Sequence, residues 1–206
     1  MIKTSVAKAA FRDIPSTATL HEAVGRRGAL PSAIKPIDSG MRVVGPALPV
    51  RCPPGDNLWI HRALAEAAPG DVLVVACGPG DEFGYWGEIM ATAAVARGVA
   101  GLVITGGVRD SLALIDLGLP TFAGRICIQG TGKDPAGNGA VGEPVRVGAA
   151  HIRKGDLIVG DADGVLVLTP EEAEWVIPAG RDRDSREASI LEQVRAGALT
   201  LDVYNL

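Results

Sequence analysis

Two apolar runs of strand length, DVLVVAC (71–77) and VAGLVITGG (99–107), flank a helix-forming segment, EIMATAAVAR (88–97), that Gly98 closes. A strand buried on both faces reads as a continuous apolar run. Two such runs joined through a helix share a sheet as parallel neighbours with a right-handed crossover. This unit restricts the chain more than any other: the core is a parallel β-α-β layer, and the remaining segments must extend it or pack on it. RDSLALIDLG, after the second run, begins another short helix. Beyond it the pattern changes. PTFAGRICIQ, EPVRVGAAHI, GDLIVG and GVLVLT read as short strands, with DADG (161–164) as the hairpin turn between the last two.

Upstream, Ser16 or Thr17 caps a first helix running to about Arg27, where Gly28 stops it. MRVVGPALPVRC (41–52) alternates and is rich in strand formers, and Pro46 and Pro49 place it at a sheet edge. A helix follows over about 57–68, capped by Asp56 or Asn57. Near the end, Thr169 caps a helix with Pro170 at its first position and two glutamates in its first turn. Pro178 interrupts that helix, and a highly charged one resumes over 179–196. The architecture expected is α/β: a mixed sheet with a parallel βαβ core, a β-rich flank and peripheral helices, forming one domain over residues 1–206.

Several function classes are excluded on composition. A formal net charge of -4 with no run of Lys or Arg offers no footprint for a phosphate backbone, so no nucleic-acid partner is expected. The apolar stretches are of strand length, short of the ~20 residues that span a bilayer. MIKTSVAKAAFRDIPS lacks the apolar centre of a signal peptide, and a cytoplasmic protein is expected. Cys52, Cys77 and Cys127 form no C-x-x-C pair and read as buried thiols, and His21, His61 and His151 form no zinc-type pair. Any metal must therefore be held by oxygens.

The loop 78–87, GPGDEFGYWG, joins a buried strand to a helix N-terminus, where α/β proteins receive anions on free backbone N–H groups. Its glycines, Gly78, Gly80 and Gly84, miss the dinucleotide fingerprint by one residue, and no acidic residue ends the following strand. Glu88 opens the helix, and the second strand runs into Gly106-Gly107-Val108-Arg109-Asp110. Adjacent parallel strands present their C-terminal ends to one crevice, so Glu88, Arg109 and Asp110 are placed to converge. Two carboxylates make a hard site suited to Mg²⁺ or Mn²⁺, and an Arg supplies planar donors for an enolate or carboxylate.

The spacing of Glu88 from Arg109-Asp110, an acid followed by twenty residues and then Arg-Asp, resembles the signature of the 4-hydroxy-4-methyl-2-oxoglutarate aldolase and ribonuclease-regulator (RraA-like) family. Similarity extends through STATLHEAVGRRG (16–28), RVVGPALPVRCPPGDNLWIHRAL (42–64), GYWGEIMATAAVARGVAGLVITGGVRD (84–110), GDLIVGDADGVLVL (155–168) and the tail LTLDVYNL (199–206). The resemblance implies a swivelling β/β/α fold and a class II pyruvate aldolase. Its expected substrate is 4-hydroxy-4-methyl-2-oxoglutarate or 4-carboxy-4-hydroxy-2-oxoadipate, with oxaloacetate decarboxylation as a side activity. It implies Asp110 as direct ligand of a Mg²⁺ or Mn²⁺ ion, Glu88 acting through water on the metal, and Arg109 on the keto oxygen. Gly87, Ile89 and Met90 would line the pyruvyl carboxylate, with backbone N–H groups from the last two. It further implies a homotrimer or hexamer in which the N-terminal helix and C-terminal region of a neighbour complete each site. Glu22 matches the first contribution, and Glu187, ahead of Glu192, matches the second by its distance from the tail.

Two departures stand out: Ala76-Cys77 at a strand end where relatives carry an acid, and the segment 124–140 on the pocket rim, which retains Gly130-Thr131 and Lys133. A rival reading of the same resemblance is a non-catalytic protein that binds and inhibits a ribonuclease complex, because fold does not dictate function.

Overall fold

The structure is a computed structural model that describes residues 14–78 and 82–206. The reading of the N-terminal segment as free of a signal peptide rests mostly on residues outside that set, as does Gly80 of the glycine-rich loop. In chain order the first elements are α1 (Thr17–Ala23), β1 (Lys35–Pro36), β2 (Val43–Arg51), α2 (Leu58–Glu66), β3 (Val72–Ala76), β4 (Gly84–Trp86), α3 (Glu88–Arg97) and β5 (Gly101–Val108). There follow α4 (Ser111–Leu117), β6 (Thr121–Ile126), β7 (Ala140–Val141), β8 (Val145–Val147), β9 (Ala150–Ile152), β10 (Leu157–Asp161), β11 (Gly164–Leu168), α5 (Pro170–Arg195) and α6 (Thr200–Tyr204).

Nine strands form one sheet in the order β1-β6-β5-β3-β2-β10-β11, with β4 added on β5 and β7 on β2. β2, β3, β5 and β6 run parallel, as the apolar runs require, and their C-terminal ends share one edge. β10 and β11 close the other side as an antiparallel hairpin about the expected turn. The two ends of the sheet approach each other, Lys35 Nζ donating to the carbonyl of Asp163, so the sheet is nearly closed. β8 and β9 form a separate two-stranded ribbon, one hairpin where a single strand was expected, with Gly148 at φ 61° in its turn.

The continuous apolar runs are explained by burial on both faces. Leu73 and Val75 of β3, with Leu102 and Ile104 of β5, pack toward Ile60, Ala63, Met90, Ala91 and Ala94 of the helices. The alternate residues Val72, Val74 and Val103 face the β-rich side with Val145, Val147, Ile152 and Ile158. Each such fully buried aliphatic side chain contributes about 1.5–3 kcal/mol relative to exposure.

β2 lies inside the sheet, contrary to the edge position that its prolines suggested. Its two halves have different partners: Val43–Pro46 pair with β10, while Ala47–Arg51 pair with β3. Pro46 sits at the handover, so its missing N–H interrupts no ladder that continues on both sides. Pro178 likewise does not interrupt α5, which is one 26-residue helix. Val176 and Gly180, on either side of the proline, both pack against the region of α1: Val176 joins Leu20 and Val24 in one core cluster, and a Cβ on Gly180 would stand 3.0 Å from Pro15 Cγ. That shared packing offsets the loss of one backbone hydrogen bond. α1 is shorter than expected, ending at Ala23, because Gly25 and Arg26 turn to positive φ. Two caps read from sequence hold, Ser16 accepting from Thr19 N and Thr169 forming a capping box with Glu172, whereas at α2 Asn57 takes the N-cap position without a side-chain cap bond and Asp56 Oδ1 accepts from Leu58 N (2.8 Å). No helix among the described residues is long and apolar enough to cross a membrane.

Candidate active site

The glycine-rich loop contains a strand. Phe83, Tyr85 and Trp86 are three of the chain's eight Phe, Tyr and Trp residues, and Tyr85 and Trp86 are fully buried. That local concentration of aromatics was the available signal for β4, which pairs with β5 through Gly84 and Gly107 and through Trp86 and Val108. Gly55 N donates to Tyr85 Oη (2.7 Å) and Asn57 Nδ2 donates to the Tyr85 carbonyl (2.8 Å), so β4 is clamped from α2's start. Neither residue was singled out in the sequence for this role. Trp86 accepts from Arg109 N (2.8 Å), which fixes the end of β5 beside the start of α3.

Asp110 occupies the left-handed region, φ 56° and ψ 37°, at the N-cap of α4. Aspartate tolerates this conformation better than most residues, though it stores about 1–3 kcal/mol of strain. An N-cap aspartate ordinarily accepts from its own helix. Here it makes no such bond. Its Oδ2 instead accepts from Glu88 N (3.1 Å), across the crevice, and lies 3.7 Å from Arg109 Nε. Both side chains remain about half exposed: 42% for Asp110 and 47% for Arg109. Oδ1 of Asp110 has no protein hydrogen-bond partner among the described residues.

Gly87 stands between these groups. A Cβ there would lie 2.4 Å from Asp110 Oδ2 and 3.2 Å from Arg109 Cγ, so any side chain would displace the carboxylate. Helical hydrogen bonding in α3 begins with Ala91 N donating to Gly87 O (3.1 Å). The Ile89 and Met90 N–H groups therefore lie in the first turn, without a carbonyl of their own helix to reach. The Met90 side chain is buried, whereas Ile89 is 81% exposed at the rim. On the opposite wall, Gly84 N donates to Gln129 O (2.8 Å), which brings the 127–130 segment alongside Arg109. This wall lies in the segment noted as divergent in sequence.

The structure thus brings Gly87, the backbone of Glu88, Arg109 and Asp110 together. Glu22 and Glu187 lie elsewhere and are joined to each other by Arg183, which reaches Glu22 at 4.0 Å and Glu187 at 2.8 Å. Hydrogen bonds from Arg26 to both oxygens of Glu22 hold its carboxyl below the usual carboxylate range. Among the described residues no three or more His, Cys, Asp or Glu side chains are grouped to hold a metal. One chain's site therefore offers an oxygen donor set of at most two carboxylates, Asp110 and Glu88. That set fits a cation such as Mg²⁺, which retains several waters, and not a closed all-protein cage. Two clefts elsewhere, one lined by Arg27, His151, Asp156 and Glu172 and one by Ser39, Arg42, Asp161 and Asp184, contain none of these residues. Cys77 directly follows the last residue of β3. Its N–H donates to Thr105 Oγ1 (2.8 Å), so a hydroxyl from β5 secures the strand end. Of the three thiols only Cys52 is buried, while Cys77 and Cys127 are partly exposed at strand ends.

Comparison with known proteins bears on the family and the fold. Residues 17–167 match the family model described as RraA-like, Aldolase/RraA. A Halalkalibacterium halodurans protein named "Putative 4-hydroxy-4-methyl-2-oxoglutarate aldolase" is 37% identical over 190 residues, covering 90% of this chain and 89% of the relative. A crystal structure of a Pseudomonas syringae pv. tomato protein superposes with a TM-score of 0.78 at 27% identity, over 93% of this chain and 91% of that one. The Thermus RNA-processing inhibitor RraA superposes with a TM-score of 0.67 at 27% identity, over 75% of this chain and 92% of that one. With a family model matched over most of its length and a relative 37% identical across 90% of it, the chain belongs to the RraA-like family.

Proposed function

We propose that this protein is a divalent-metal-dependent class II aldolase that cleaves 4-hydroxy-4-methyl-2-oxoglutarate or 4-carboxy-4-hydroxy-2-oxoadipate to release pyruvate. Oxaloacetate decarboxylation, which passes through the same enolate, is the expected side activity. The observation that carries this reading is Asp110: a strained N-cap aspartate that forgoes its own helix to face the start of α3, with Arg109 beside it and a glycine making room. The name borne by the Halalkalibacterium halodurans relative agrees with an aldolase.

Asp110 and Glu88 would hold Mg²⁺ or Mn²⁺, which when bound supplies Lewis-acid stabilisation of the enolate oxygen. The first-turn N–H groups of Ile89 and Met90 receive the pyruvyl carboxylate at the positive end of α3. Loss of the 4-hydroxyl proton turns C4 into a carbonyl as the C3–C4 bond breaks, and the bonding pair passes to C3 and the keto oxygen. Arg109 donates to that oxygen as negative charge develops on it. Glu88, with Glu22 and Glu187 contributed by neighbouring subunits of a homotrimer or hexamer, receives the 4-hydroxyl proton through water. Protonation at C3 then yields pyruvate.

The test is pyruvate release coupled to lactate dehydrogenase, with and without Mg²⁺. Asp110→Asn keeps an oxygen for the Glu88 N–H but removes the charge, and turnover is expected to vanish. Arg109→Lys, a point charge in place of a planar fork, is expected to lose most of it. Full turnover in excess EDTA refutes metal dependence. No turnover on any 4-hydroxy-2-oxo acid, together with capture of a ribonuclease complex, makes this a binding protein instead.

A further inference from the structure

We propose that Arg125 recognises the distal carboxylate of the substrate and so restricts the enzyme to dicarboxylic 4-hydroxy-2-oxo acids; this rests on the aldolase reading above. Arg125 lies near the C-terminal end of β6, paired in register with Gly107 of β5. Gly107 is in turn paired with Gly84 of β4. Arg109 and Arg125 lean on these two glycines: a Cβ at Gly84 would meet Arg109 Cβ at 3.1 Å, and one at Gly107 would meet Arg125 Cγ at 3.1 Å. Both glycines also abut Cys127. Two guanidinium-bearing chains thus rise from adjacent strand ends over a floor without side chains, on the edge where parallel sheets bind ligands.

The partner of Arg125 shows what it is built to hold. Its Nη1 pairs with Oε1 of Glu82, from the loop before β4. Arg125 is 33% exposed and Glu82 68% exposed, so the arginine is the seated member and the glutamate the loose one. An ion pair this exposed adds little to stability and exchanges readily for another carboxylate. The planar fork of Arg matches a carboxylate better than a lysine would. With Arg109 and the α3 N-terminus taking the pyruvyl end, Arg125 is a cation placed at the neighbouring strand end for a second carboxylate on C4. Glu82 holds the fork oriented until a dianion displaces it. A monocarboxylic substrate leaves the Arg125–Glu82 pair intact and gains nothing from it.

The experiment measures kcat and KM for wild type, Arg125→Gln and Glu82→Gln with Mg²⁺. The substrates are 4-hydroxy-4-methyl-2-oxoglutarate and 4-hydroxy-2-oxopentanoate, which lacks the distal carboxylate. Exchange of pyruvate C3 hydrogens with deuterium reports the pyruvyl half alone. Arg125→Gln is expected to lower the dicarboxylate-to-monocarboxylate ratio of kcat/KM at least tenfold, chiefly through KM, with pyruvate exchange within threefold of wild type. Glu82→Gln is expected to lower KM for the dicarboxylate. Equal losses on both substrates and on pyruvate exchange, or an unchanged ratio, overturn the assignment. If wild type exchanges pyruvate hydrogens and cleaves substrate while the ratio is unmoved, the aldolase reading survives and only Arg125 falls. If wild type does neither, both fall.

Discussion

Replacing Gly87 by alanine separates the site's geometry from the fold's stability. The residue has φ -152° and ψ -172°, extended backbone that alanine adopts freely, so no conformational penalty attends the change. The penalty is local: the new Cβ would stand 2.4 Å from Asp110 Oδ2, against about 3.4 Å for ordinary contact. The carboxylate must retreat by about 1 Å, and a displacement of that size at a reacting constellation costs roughly 100-fold in rate, about 2.7 kcal/mol in the barrier. Stability should change by no more than that, because the half-exposed carboxylate forfeits one charge-assisted hydrogen bond to Glu88 N, worth about 1.5–3 kcal/mol when fully formed. We therefore expect kcat/KM for pyruvate release to fall about 100-fold and Mg²⁺ affinity by calorimetry to weaken, with Tm within a few degrees of wild type. A variant with kcat/KM within threefold of wild type would show that the Asp110 carboxylate is not where the chemistry occurs.

Complementation tests whether Glu22 acts on a neighbour's site. Glu22→Ala and Asp110→Asn, each inactive alone, are unfolded and refolded together, and partial activity should return because mixed oligomers contain some sites with both residues intact; no recovery means each site is built within one chain. A third expectation concerns pH. Burial, then the positive charge of Lys133, push the His61 imidazole below its usual 6.5, so the folded chain resists a proton that the unfolded chain accepts. That contribution is present above about pH 6.5 and is lost as pH falls below it. Urea midpoints measured from pH 7 to 5 should decline more steeply for wild type than for His61→Gln, and parallel declines exclude His61 as the source.

Local chemistry was legible in the sequence, and partner choice was not. The β3-α3-β5 unit, the Gly98 stop, the Thr169 capping box and the β10–β11 turn follow from periodicity and from residues a few positions apart. β1 and β7, two residues each, are too short to give any period. The interior place of β2 and the passage of α5 through Pro178 depend on residues more than 100 positions away, which no window reports. The same division holds at the site. Glu88, Arg109 and Asp110 stood out because two strand ends face one crevice. The joining of Glu22 to Glu187 through Arg183 depends on how α1 lies against α5.

The handover within β2 has a consequence for the order in which the chain is made. Its first half awaits β10, roughly 110 residues later, so at about 5–20 residues per second that segment emerges from the ribosome some 5–20 seconds before its partner. An apolar strand with open N–H and C=O groups is then free to pair with other nascent chains. Pro46, inside the waiting half, and Pro49, just beyond it, carry no N–H to offer such a partner. Pro46, which looks misplaced in an interior strand, thus offers one donor fewer to such a partner, at the handover where no ladder of the finished sheet continues on both sides.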